Sequence, residues 1–133
     1  MEQVYRDAED IQDDDFLFRR ITPSQHTAVQ PDGTWILTSF AFREPNHEFS
    51  MYVAKEVTRE KILSCGFPTQ EIIEVRAGDV RSLGYILVRE PDDCDPAHVF
   101  ARARAPKSRN QISKDCKALA EIVNARRAGE RQS

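Results

Sequence analysis

The first information in this 133-residue chain lies in what it lacks. No stretch approaches the about 20 apolar residues that a membrane-spanning helix needs. The start is acidic rather than basic-then-apolar, so no leader and no membrane partner are expected. Glycines number five and none lie close together, which argues against a loop that cradles phosphate through bare backbone. The dinucleotide fingerprint, the P-loop, the nucleophile elbow and the paired-histidine zinc motif are all missing. Cysteines are three, Cys65, Cys94 and Cys116, far apart and never in a C-x-x-C pair. A secreted domain of this size usually shows a dense, even set, so the spacing points to a reducing compartment, and the cytoplasm is the expected location.

What is present suits one small domain. Hydrophobic residues make up 40% of the chain, low for a globular protein but clustered in short runs, so a modest core can form. The net charge of −3 hides an asymmetry: residues 1–15 hold seven acids and one base, whereas residues 102–133 hold nine bases and three acids. The ends could pair with each other, or they could be two solvated tails. The expected organisation is an acidic N-terminal tail over 1–15, one α+β domain over 16–127 and a frayed end over 128–133.

Within the domain, Phe16–Ile21 reads as a first strand, ended by Thr22-Pro23. Pro31-Asp32-Gly33 is a turn, because Asp and Gly tolerate a left-handed backbone. An apolar run from Trp35 to Phe42 follows. From Phe49 the pattern alternates, with Phe49, Met51 and Val53 on one face and Ser50, Tyr52 and Ala54 on the other. Thr58 is placed to cap a helix over Arg59–Cys65. Ile72–Val75, Tyr85–Val88 and His98–Ala103 read as further strands, with a short helix over Ala77–Leu83 stopped by Gly84. Ser108 and Gln111 form a capping box, and Ile112, Cys116, Leu119 and Val123 make one apolar helical stripe. The expected fold is therefore α+β. It has five or six short strands in a mostly antiparallel sheet and two or three helices, and the C-terminal amphipathic helix lies on the sheet.

Five residues stand out as ligand-binding candidates: Arg19, Arg20, Ser39, His98 and Arg102. Consecutive residues on a strand face opposite sides, so one of Arg19 and Arg20 points into the core layer or a cleft. A partly buried arginine there needs an anion, either an internal carboxylate or a bound ligand. Ser39 could supply a hydroxyl to the same cleft. His98 follows the stiff Asp95-Pro96-Ala97 approach at a sheet end, where imidazole could act as acid, base or ligand, or simply bond a neighbouring loop. Arg102 opens a basic C-terminal region that could track a nucleic-acid backbone, although no aromatics interleave with it and the chain is acidic overall. Asp92-Asp93-Cys94-Asp95 with His98 offers metal-ligand types, but the spacing matches no recognised site and a polar turn accounts for it; no metal is expected.

The segments Leu17-Phe18-Arg19-Arg20-Ile21, Asp32-Gly33, Ser39-Phe40-Ala41-Phe42, Phe49–Val53, Arg81-Ser82-Leu83-Gly84 and Asp95-Pro96-Ala97-His98, taken in order, resemble a family of small uncharacterised bacterial proteins. That resemblance spans residues 16–100 and implies no catalytic residues. A fainter likeness is to ADP-ribosyltransferase-like, NAD-using domains, with Arg19 or Arg20 and Ser39 in the first two places of an Arg-Ser-Glu layout and only Glu90 as a positional candidate for the third. The expected function is a non-enzymatic accessory or binding protein acting through a protein or small-ligand interface. A protein partner is expected but unidentified; cofactor and oligomeric state stay open. The alternatives are a small nucleotide- or NAD-handling enzyme using Arg20, Ser39 and His98, and nucleic-acid binding through the basic C-terminal helix.

Overall fold

The computed structural model describes residues 5–44, 47–66 and 68–132. Its strands are β1 (Phe16–Ile21), β2 (Thr27–Val29), β3 (Trp35–Leu37), β4 (Phe49–Val53), β5 (Glu71–Arg76), β6 (Tyr85–Arg89) and β7 (His98–Ala103). The helices are α1 (Pro23–His26), α2 (Arg59–Ser64), α3 (Ala77–Ser82) and α4 (Arg109–Gln132). Five strands form one antiparallel sheet in the order β5-β1-β4-β7-β6, and β2-β3 is a separate hairpin turned by Gly33 at φ +86°. This is an α+β fold with the long C-terminal helix on the sheet.

The alternation read in the sequence sorts side chains between two faces. Leu17, Ile21, Met51, Val53, Ile73, Val75, Leu87, Val99 and Ala101 face one side and pack with Cys116, Leu119 and Val123 of α4 in the main core. On the opposite face α2 covers Phe18 and Tyr52 with Ile62, and Tyr5 packs beside Ile86, Val88 and Phe100. Thr58 caps α2 by accepting the Lys61 N–H at 3.1 Å. Ser108 accepts the Gln111 N–H at 3.1 Å, but the Gln111 side chain turns forward to Asp115 at 3.0 Å instead of back to the cap.

Several expectations change. Residues 5–15, expected as a solvated tail, are folded onto the body. Ile11 is buried in the main core, and residues 7 and 8 close the open edge of β6 through Ala8 N–H to Leu87 O (2.7 Å) and Leu87 N–H to Asp7 Oδ1 (2.9 Å). Their acids pair with the middle of the chain: Asp7 and Asp13 with Arg81, Asp14 with Arg76, Asp10 with Arg89, Asp15 with Lys55. Helix α4 continues to Gln132, through residues expected to fray. The apolar run from Trp35 splits into β3 and a 3-10 turn over Ser39–Phe42, which tucks Ala41 and Phe42 into the core. Cys65 and Cys94, read as separate thiols, form a disulfide with Cα atoms 5.8 Å apart. Their sequence separation of 29 hid that pairing.

Candidate functional site

The site arises where two neighbouring strands part. β1 pairs with β5 along its whole length, to Ile21↔Glu71, but its pairing with β4 consists of Leu17↔Val53 and Phe18↔Tyr52. Beyond Phe18 the gap is bridged by a side chain. The Arg19 guanidinium donates to Ala41 O (2.7 Å), to Ser50 O (2.8 Å) and to Glu44 Oε1 (3.0 Å). Burial pushes its pKa down while Glu44 opposes that shift. Arg19 therefore has the internal carboxylate that a buried arginine requires.

A cavity of about 360 Å³ opens in this gap, lined by Arg19, Arg20, His26, Arg43, Glu44, Ser50, Tyr52 and Gln70. Arg20, on the other face of β1, donates to Ile62 O at 3.2 Å and lies 5.8 Å from the centre of the Tyr52 ring. Arg43 stacks over Phe40 at 4.6 Å. Among the described residues neither Arg20 nor Arg43 pairs with a carboxylate, so the wall carries more positive charge than Glu44 balances. His26 is held neutral by burial and by the nearby Arg19 charge, both of which lower its pKa. Its Nδ1 accepts the Thr22 N–H at 2.8 Å, which leaves the ring proton on Nε2 as a donor.

Beneath the cavity floor lies His98, buried at 6% exposure. In the β4–β7 register Tyr52 stands opposite His98, and Ser50 occupies the diagonal position on the same face. Ser50 Oγ lies 2.5 Å from His98 Nε2, and His98 Nδ1 lies 2.7 Å from Glu90 O. Tyr52 donates its hydroxyl to Asp92 Oδ2 at 2.7 Å; burial and then that carboxylate push the phenol upward. Asp92 Oδ2 is 3.9 Å from His98 Nε2. Burial would raise the Asp92 pKa, but the Asp95 N–H, the Tyr52 hydroxyl and nearby His98 outweigh it, so Asp92 sits below the usual carboxylate range. Asp92 also accepts the Cys94 and Asp95 N–H groups, at 3.0 and 2.9 Å, so the acidic turn satisfies itself.

The sequence candidates divide accordingly. Arg19, Arg20 and His98 are brought together, His98 through Ser50. Ser39 starts the 3-10 turn and is not among the residues lining this cavity. Arg102 pairs with Glu48 at 2.9 Å and stacks over Tyr5 at 4.3 Å, lining a different surface. Ser50, Tyr52, His26, Arg43 and Gln70 were not among the ligand-binding candidates, and Asp92 was weighed only as part of a metal-ligand set with His98. The period-two pattern already put Ser50 beside Tyr52, and His98 on the face shared with Phe100. Only the adjacency of β4 and β7 joins the two sets. Compared with protein-family models, curated proteins and solved structures, the chain matches none.

Proposed function

We propose that this chain is a binding domain for a small anionic ligand, held in the cavity between β1 and β4. The observation that carries the reading is a cavity of about 360 Å³ whose lining includes Arg20 and Arg43, neither of which pairs with a carboxylate among the described residues. Arg20 is half-buried whereas Arg43 is exposed; a half-buried arginine charge is stabilised by an anion, and the planar fork suits carboxylate or phosphate oxygens. His26 Nε2–H and Gln70 add neutral donors to the same wall. The volume falls in the range of small-molecule sites. Kinship with the uncharacterised bacterial family, a protein partner and a cytoplasmic location belong to the same proposal, but the Cys65–Cys94 disulfide takes away the separate-thiol argument for that location.

The NAD-handling alternative draws less support, because the lining glutamate, Glu44, is committed to Arg19, and Glu90 contributes its backbone carbonyl to His98. The nucleic-acid alternative draws less support too: of its basic residues Arg102, Arg104, Lys107, Arg109, Lys114 and Lys117, Arg102 and Lys107 are engaged by Glu48 and Asp115. Calorimetric titration with inorganic phosphate, a nucleoside monophosphate and a dicarboxylate tests the proposal. Binding of at least one, weakened about tenfold or more by Arg20→Gln and by 0.5 M salt, is expected. Heat changes equal in wild type and Arg20→Gln for every anion would refute it.

A further inference from the structure

We propose that Ser50 and His98 are a nucleophile and general base, and that the cavity hydrolyses a carboxylic ester bearing a negative charge near the scissile bond. This rests on the anionic-ligand reading of the cavity for its substrate charge, but not for its nucleophile.

The hydrogen-bond directions follow from the atoms involved. Glu90 O can only accept, so His98 Nδ1, 2.7 Å away, carries a proton. In the neutral ring the lone pair is then on Nε2. Ser50 Oγ, 2.5 Å from Nε2, must be the donor. A serine whose proton already points at an imidazole lone pair, with the far nitrogen oriented by a fixed acceptor, is the arrangement that activates a hydroxyl for attack. Here a backbone carbonyl performs the orienting role that a carboxylate performs in a triad. That carbonyl is itself fixed, because Glu90 N–H donates to His98 O at 3.0 Å, tying the two residues into one register. Asp92, kept ionised and 3.9 Å from Nε2, is near enough to stabilise an imidazolium without competing for the neutral ring. Ser50 is half-buried and lines the cavity, whereas His98 is buried behind it. Ser50 therefore stands between the cavity and the base, and His98 Nε2 is reached from the cavity past Ser50.

In the reaction, Ser50 Oγ forms a bond to the ester carbonyl carbon as its proton passes to His98 Nε2. The tetrahedral intermediate collapses by breaking the bond to the alcohol oxygen, which leaves with that proton. A water molecule then gives its proton to Nε2 and attacks the acyl-serine. Cleavage of the acyl–Oγ bond releases the carboxylic acid and returns the proton to Ser50. Arg20, on the same cavity wall, supplies positive charge for the substrate's anionic group.

The test uses a rhodamine fluorophosphonate, which phosphonylates activated serines, and two nitrophenyl esters, the anionic hemisuccinate and the neutral acetate. The expected result is a single labelled peptide containing Ser50, no label in Ser50→Ala, and labelling slowed about 100-fold in His98→Gln. Ser50→Ala keeps the fold readable by circular dichroism, because the residue is small and half-exposed, so loss of label there is not loss of structure. The hemisuccinate should be cleaved with the higher kcat/KM, and Arg20→Gln should lower that value at least tenfold more than the value for the acetate. An unlabelled wild-type protein, or a label elsewhere, overturns the nucleophile and leaves anion binding standing if phosphate still binds. Labelled Ser50 with no preference for the charged ester overturns the anionic-substrate assignment.

Discussion

The disulfide between Cys65 and Cys94 offers the sharpest test of the tertiary arrangement. It joins the C-terminal cap of α2 to the acidic turn before β7, closing a loop with a sequence separation of 29 residues. In the chain-entropy account a closed loop of that length restricts the unfolded ensemble by about 3.6 kcal/mol at 25 °C. That is a large part of the about 5–15 kcal/mol that holds a domain folded. With a urea slope of about 2 kcal/mol/M, the unfolding midpoint of oxidised protein should lie about 1.8 M above that of protein treated with a phosphine reductant. The single tryptophan, Trp35, packs against the main core and reports the transition by fluorescence. Cys65 is exposed and Cys94 half-buried, so reductant can reach the bond. A Cys65→Ser/Cys94→Ser variant should unfold at the midpoint of the reduced protein and ignore reductant. Equal midpoints for oxidised and reduced wild type would show that the two thiols do not meet, and the placement of α2 against the 90–96 turn would fall with them.

Three further outcomes test the parts around the site. Ile11→Ala should cost about 2–4 kcal/mol in urea unfolding, because Ile11 is buried in the main core; a change near zero would mean that the acidic segment is a solvated tail after all. Glu44→Ala leaves the buried Arg19 charge without its counter-ion and should cost about 2–3 kcal/mol, below the value for a fully buried pair because Glu44 is 28% exposed, while Glu44→Gln should recover part of the loss. Asp115 is held below its ordinary pKa: burial pushes it up, but Lys107, Tyr85 and Gln111 outweigh that. A depressed folded value contributes stability above the unfolded pKa of about 4 and loses it as pH falls through the folded value, so Asp115→Asn should be less stable than wild type at pH 7 and the gap should narrow below about pH 4. A gap that stays constant from pH 7 to pH 2.5 would contradict that coupling.

The elements were legible because their signals are local. Thr58 and Ser108 cap helices through atoms three residues away. Asp32-Gly33 turns a hairpin through its own backbone, and the β7 alternation puts Val99 and Ala101 in the main core with His98 and Phe100 opposite. The Arg19-Arg20 pair divided between faces for the same reason. Ser39 and Arg102 are the candidates that lie away from the cavity: Arg102 lines another surface, and the neighbours of Ser39, Phe40 to Phe42, looked like a strand, yet burying Ala41 and Phe42 together beneath α4 needs a tight turn.

By itself the sequence determined the fold class, the faces of the strands and the stripe by which α4 packs, because period and capping act within a few residues. Only the tertiary structure decided that β4 lies between β1 and β7. That order puts Ser50 on His98 across 48 positions, parts β1 from β4 to open the cavity, and brings Cys65 to Cys94. Strand order is chosen by burial of the whole core and by closing long loops. No single segment carries a mark of which strand it will meet.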